Sequence, residues 1–101
     1  MSQRARLTPS TDVVASSVSS LQQELLDVIQ GGAEEVEVDL GQVEMIDSSG
    51  IGCLIAACNQ LKDSGGKLRV TNASTDIVRL FSVMRINRHI DVEGRSGEEQ
   101  D

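Results

Sequence analysis

Apolar residues recur along this chain with two alternating periods, one helical and one extended. Val14, Val18, Leu21, Leu25, Val28 and Ile29 recur at spacings of three and four, which predicts an amphipathic helix of about 17 residues. Thr11 or Asp12 is the candidate cap at its start, and Gly31 and Gly32 supply the stop. Residues 35–40 then change period. Val36, Val38 and Leu40 fall on one face and Glu37 and Asp39 on the other, as in a strand buried on one side. Val43, Met45 and Ile46 follow a turn at Gly41. Ile51, Leu54, Ile55, Cys58 and Leu61 mark a second helix that stops near Ser64, Gly65 and Gly66. Lys67 to Thr71 alternates again. Asn72 to Thr75 reads as a turn with Ser74 as an N-cap, and Ile77, Val78, Leu80, Phe81 and Met84 form a third, short helix. His89 to Val92 reads as a last strand.

Helix, strand, helix, strand, helix, strand is the order of an α/β domain whose strands are joined by right-handed crossovers and are therefore mainly parallel. The expected sheet is small, mixed or parallel, with about four strands and its helices mainly on one face. The polar alternate positions of the strands leave the other face without a helical cover. Residues 1–11 form a short N-terminal segment with a candidate edge strand at Arg6-Leu7-Thr8, residues 12–92 the domain, and residues 93–101 an acidic tail predicted to be disordered. In that tail Glu93, Glu98, Glu99 and Asp101 oppose Arg95 alone, for a net charge of −3.

Composition narrows the function. A chain of 101 residues suits one small domain. Phe81 is the sole aromatic residue, so the core is aliphatic and the stacking platforms used on single-stranded nucleic acid are missing. A net charge of −7 also argues against a nucleic-acid partner. Cys53 and Cys58 lie five apart in one predicted helix, on divergent faces, and read as small core residues rather than a disulfide. With one histidine they make no zinc set. No run is long enough to span or insert into a membrane, and the expected location is the cytoplasm.

Chemistry concentrates in Asp47-Ser48-Ser49-Gly50-Ile51-Gly52, at a predicted strand-to-helix junction. Asp and Ser are favoured helix caps, which accounts for the segment structurally. The same junction presents a hydroxyl at the positive end of a helix dipole, where a phosphate on serine is tolerated. Asp47 as an acyl-phosphate acceptor would need a magnesium site of further carboxylates and usually a lysine, and Glu37 and Asp39 read instead as a solvated strand face. His89, with Arg85 and Arg88, has no placed nucleophile and reads as a surface residue within a basic cluster.

Val36-Glu37-Val38-Asp39-Leu40, Val43, then Ile46-Asp47-Ser48-Ser49-Gly50-Ile51-Gly52 and Leu54 resemble the STAS family (sulphate transporter and anti-sigma factor antagonist). Gly65-Gly66-Lys67-Leu68-Arg69-Val70 and Ile77-Val78-Arg79-Leu80-Phe81 fit the same pattern, so the resemblance covers roughly residues 12 to 92. It implies a STAS-like (SpoIIAA-like) fold and, in the bacterial antagonists, a regulatory binding protein rather than an enzyme, with no cofactor. The serine after the aspartate would be phosphorylated by a partner anti-sigma factor, a serine kinase of the histidine-kinase ATPase fold, and reset by a serine phosphatase. By position the acceptor would be Ser48, with Ser49 as the alternative. Asp47, Ser48, Ser49, Gly50, Ile51 and Leu54 would lie at the partner surface. The other reading is an unphosphorylated scaffold subunit of a transport or chemotaxis-type signalling complex. Family members usually begin with two strands, and the short N-terminus here leaves an open edge at which a homodimer is conceivable.

Overall fold

The structure, a computed structural model, describes residues 3–95. Four strands, β1 (Arg4–Leu7), β2 (Glu35–Asp39), β3 (Lys67–Ala73) and β4 (Asp91–Gly94), form one sheet in sequential order, and each pairs in parallel with its neighbour. Three helices connect them: α1 (Val18–Gln30), α2 (Ser48–Asp63) and α3 (Thr75–Val83). A 3-10 turn at Ile86–Arg88 leads into β4. In a sequentially ordered parallel sheet, right-handed crossovers place every helix on the same face. Leu21 and Leu25 of α1, Leu54, Cys58 and Leu61 of α2, and Ile77 and Phe81 of α3 accordingly join Val36, Val38, Leu68 and Val70 in one buried cluster. Full burial of such side chains contributes about 1.5–3 kcal/mol each.

The opposite face is charged and carries no helix. Arg4 pairs with Glu35, Arg6 with Glu37 and Asp39, and Arg69 with Glu37 and Glu93. These are cross-strand neighbours in the parallel register, and most are solvent-exposed, so each contributes little beyond polarity. Asp39 is the exception, being buried. Burial acts to raise its carboxyl, but the Gly41 N–H, the Asn72 amide and Arg6 outweigh it and hold it below the usual carboxylate range.

Four elements differ from the sequence reading. The edge strand β1 runs Arg4–Leu7 rather than Arg6 to Thr8, because its parallel register with Glu35 to Val38 starts at Arg4. The first helix begins at Val18, not near Thr11 or Asp12, because Val13 is held in a parallel bridge to Ile46. Asp12 caps no helix; its carboxylate accepts the N–H groups of Glu44 (3.0 Å) and Met45 (3.2 Å). Asn72 and Ala73 belong to β3 rather than a turn: Asn72 takes a left-handed conformation (φ 56°) where the register with β4 shifts. The last strand runs on through Glu93 to Gly94, inside the stretch expected to be a tail, while residues 96–101 lie outside the described residues. Arg95 follows as an ordered clamp. Its Nε donates to the Asn72 carbonyl (3.0 Å), and its guanidinium reaches the carbonyls of Leu40, Gly41 and Val43.

Candidate functional site

The loop from Leu40 to Asp47 carries the chain from β2 to α2 and is pinned from two sides. Arg95 holds three of its carbonyls and Asp12 two of its N–H groups. Val13 adds a backbone pair, donating to Met45 O (3.0 Å) and accepting from Asp47 N (3.2 Å).

Asp47 is the N-cap of α2. One carboxylate oxygen accepts from Ser49 N (2.9 Å) and Gly50 N (3.1 Å), and the other from Ala15 N (3.0 Å). These three N–H groups, that of Ala15 foremost, hold the Asp47 carboxyl below the usual carboxylate range. Both oxygens are thus committed to the backbone, and Asp47 ties the helix start to the strap at residues 12–15. Gly50 completes the joint. A Cβ there would sit 2.4 Å from the Val13 carbonyl and 2.7 Å from the Ile46 side chain, so only glycine lets the first turn approach this closely.

Ser48 occupies the first helical position and is exposed, as is Ser49. Neither hydroxyl has a hydrogen-bond partner among the described residues. The neighbouring N–H groups are already taken: those of Ser49 and Gly50 by the Asp47 carboxylate, and that of Ile51 by the Asp47 carbonyl (2.9 Å). The turn is therefore closed on itself and is not an empty anion nest. A group added to Ser48 projects into solvent.

Of the six residues expected at a partner surface, the structure exposes two fully and Asp47 in part. Gly50, Ile51 and Leu54 are buried and face the sheet, so they cannot meet a partner directly. The cause is helical phase. Ile51, Leu54, Cys58 and Leu61 form the inward stripe, and Ser48, Gly52 and Ile55 the outward one. Gly52 has nothing within 4 Å of where its Cβ would stand, and Ile55 and Met45 are among the exposed large apolar side chains. Ile55, which the helical spacing groups with the apolar stripe, stands on the outward side. Asp12 and Arg95, distant in sequence, give no comparable signal.

Cys58 is buried and its thiol donates to the His89 carbonyl (3.3 Å), while Cys53 is half-buried; burial pushes both thiols up. His89 is exposed and stands apart from Ser48 at the other end of the domain.

A parallel four-stranded sheet with helices on one face and an aspartate-capped serine at the α2 entrance defines a small α/β module. The family model described as "Mlab, STAS domain" matches residues 2–92, and the chain belongs to that family. It is 29% identical over 85 residues to the anti-sigma-B factor antagonist of Bacillus subtilis strain 168, covering 84% of this chain and 75% of the relative. Among solved structures, a Thermotoga maritima protein assigned to the anti-sigma factor antagonists superposes with a TM-score of 0.83 (19% identity, 92% of this chain, 80% of that one). The antagonist SpoIIAA in its unphosphorylated form superposes with a TM-score of 0.68 (16% identity, 97% and 84% covered). In its phosphorylated form, as the Bacillus cell fate determinant, the score is 0.66 (16% identity, 91% and 84% covered). These structures establish the STAS fold. Among the described residues no helix is long and apolar enough to cross a membrane.

Proposed function

We propose that this chain is an anti-sigma factor antagonist, a binding protein whose partner is an anti-sigma factor with serine kinase activity and whose switch is Ser48. The observation that carries the proposal is the state of Ser48: an exposed hydroxyl, without a partner among the described residues, on a turn that Asp47, Asp12 and Arg95 hold rigidly. A relative that shares 29% of its residues over most of this chain is an anti-sigma-B factor antagonist, and SpoIIAA exists in both phosphorylated and unphosphorylated forms.

The contact face is Ser48, Ser49, Gly52 and Ile55 with Met45 beside them, a shallow patch of small and apolar side chains. Transfer of the ATP γ-phosphoryl group to Ser48 Oγ forms one P–O bond, breaks the β–γ bridge and releases the hydroxyl proton. The product carries about −1.5 to −2 charges at neutral pH. No free N–H of the first turn beyond that of Ser48 itself is left to bind it, and Asp47 repels it. The domain keeps its fold, and the phosphate blocks a partner surface fitted to a neutral hydroxyl, because an unpaired charge is costly to desolvate. A serine phosphatase restores binding.

Intact-mass spectrometry with site mapping on protein from its native cell, with and without phosphatase inhibitors, tests the reading. A phosphate on Ser48 is expected, and Ser48→Asp is expected to weaken capture of the kinase by tenfold or more, a loss of about 1.4 kcal/mol or greater. A phosphate on Ser49 instead moves the switch by one residue. An unmodified Ser48 and Ser49 in every growth state overturns the switch and leaves the same face as the docking surface of a constitutive scaffold.

A further inference from the structure

The described residues expose four large apolar side chains, and they fall in two places. Met45 and Ile55 flank Ser48. Val83 (74% exposed) and Met84 (50% exposed) end α3. Because α2 and α3 both run against the strands, the start of one and the end of the other lie at opposite ends of the sheet. The second patch is therefore separate from the switch face.

Its surroundings are unusual for this protein. The chain carries a net charge of −7, yet exposed Arg79 lies one helical turn before Val83, and exposed Arg85 and Arg88 follow Met84 in the turn that leaves α3. None of the three makes an ion pair or side-chain hydrogen bond among the described residues. By contrast Arg4, Arg6 and Arg69 are ion-paired on the sheet face, and Arg95 is bound to carbonyls. Asp76 lies at the far end of α3, and Asp91 pairs with none of them.

Backbone strain marks the same corner. Arg85 turns the chain out of α3 in the left-handed region (φ 61°), a position that glycine or asparagine would take without penalty. Arg85 is exposed, and its side chain makes no ion pair or hydrogen bond among the described residues. The left-handed turn ends α3, with the Arg85 N–H on the Ser82 carbonyl (3.0 Å), and it leaves the Arg85 side chain standing out from the corner.

We infer that the Arg79–Arg88 corner is a second docking surface, for a protein segment that carries acidic residues around an apolar one. The apolar pair supplies the contact area and the three arginines the recognition of carboxylates, which guanidinium groups match in bidentate geometry. An anionic bilayer fits less well. It presents a plane of charge to a chain whose net charge is −7, whereas a narrow segment engages the corner alone, within a Debye length of about 8 Å at physiological salt.

The test places a photo-cross-linker at the corner of the full chain in its native cell, as Val83→p-benzoylphenylalanine, with Ile55→p-benzoylphenylalanine as a parallel arm. The expected result is a protein adduct at position 83 whose cross-linked peptide is acidic. The combined Arg79→Glu and Arg88→Glu changes should lower its yield about tenfold, as expected when charges at a contact are reversed. Arg85→Gly should raise the urea midpoint of unfolding yet weaken the adduct, which a purely structural role for Arg85 would not do. A lipid adduct, no adduct, or one indifferent to the charge reversals overturns the inference. The arm at position 55 reads the switch face independently, so failure of one surface leaves the other standing.

Discussion

The entrances to α2 and α3 are built from the same parts and do different work. Each follows a parallel strand, and each is capped by a short polar side chain in extended backbone: Asp47 (φ −114°, ψ −172°) and Ser74 (φ −63°, ψ 162°). Ser74 receives one N–H, that of Ile77, and is the single residue between β3 and α3. Asp47 receives three N–H groups from two segments and stands at the end of a long loop that Asp12 and Arg95 pin from either side. Three residues after the cap, α3 puts Ile77 into the core, whereas α2 puts Gly50 against the Val13 carbonyl. A helix cap alone is therefore no sign of a site. What distinguishes Ser48 is a rigid frame assembled from distant residues around an exposed hydroxyl.

That contrast can be broken at either junction. The largest effect belongs to Ile77→Ala, which should cost about 3 kcal/mol by urea denaturation through the cavity it leaves, without altering phosphorylation of Ser48. Gly50→Ala should cost about 2 kcal/mol, because the new Cβ must displace Val13, and should also raise amide exchange at Ala15 and Asp47. Ser74→Ala should cost about 1 kcal/mol, the usual loss of a hydroxyl cap. Acid should separate the two entrances. The Asp47 carboxyl is held below its ordinary range, so its cap is present at neutral pH and is lost only as pH falls through that depressed value. Protection of the Ser49 and Gly50 amides should then drop on acidification, while the Ile77 amide, which donates to the Ser74 hydroxyl rather than to a carboxylate, keeps its protection. The smallest effect on stability is expected for Ser48→Ala, within about 0.5 kcal/mol, since its hydroxyl holds nothing in the fold. A larger loss would show that Ser48 is part of the frame rather than its cargo.

Much of this molecule is readable in one dimension. The change from helical to alternating spacing around Gly31–Gly32 and Gly65–Gly66 locates α1, β2, α2 and β3, because burial on one face imposes those periods. The Ser74 cap and the uncovered, charged sheet face follow from the same local rules. The limits of α1 and β4 do not. Val14 and Val18 continue a helical spacing, but Val13 gains more from the bridge to Ile46, and a tail-like composition at Glu93 and Gly94 is overridden by pairing with β3.

At the site the division has the same cause. The sequence by itself determined the candidate serine, the capping aspartate and the helical spacing of Ile51 and Leu54, since each depends on neighbours within a few residues, although it also placed Gly50, Ile51 and Leu54 at a partner surface that their burial denies them. Only the tertiary structure decided that Asp12 holds the loop instead of capping α1, that Arg95 is a clamp, and that Asp47 also takes the N–H of Ala15. The contacts of Asp12 and Arg95 with the loop join residues more than thirty positions apart. Their partners are carbonyls and N–H groups that every residue carries, so no side-chain pattern announces them before the chain is folded.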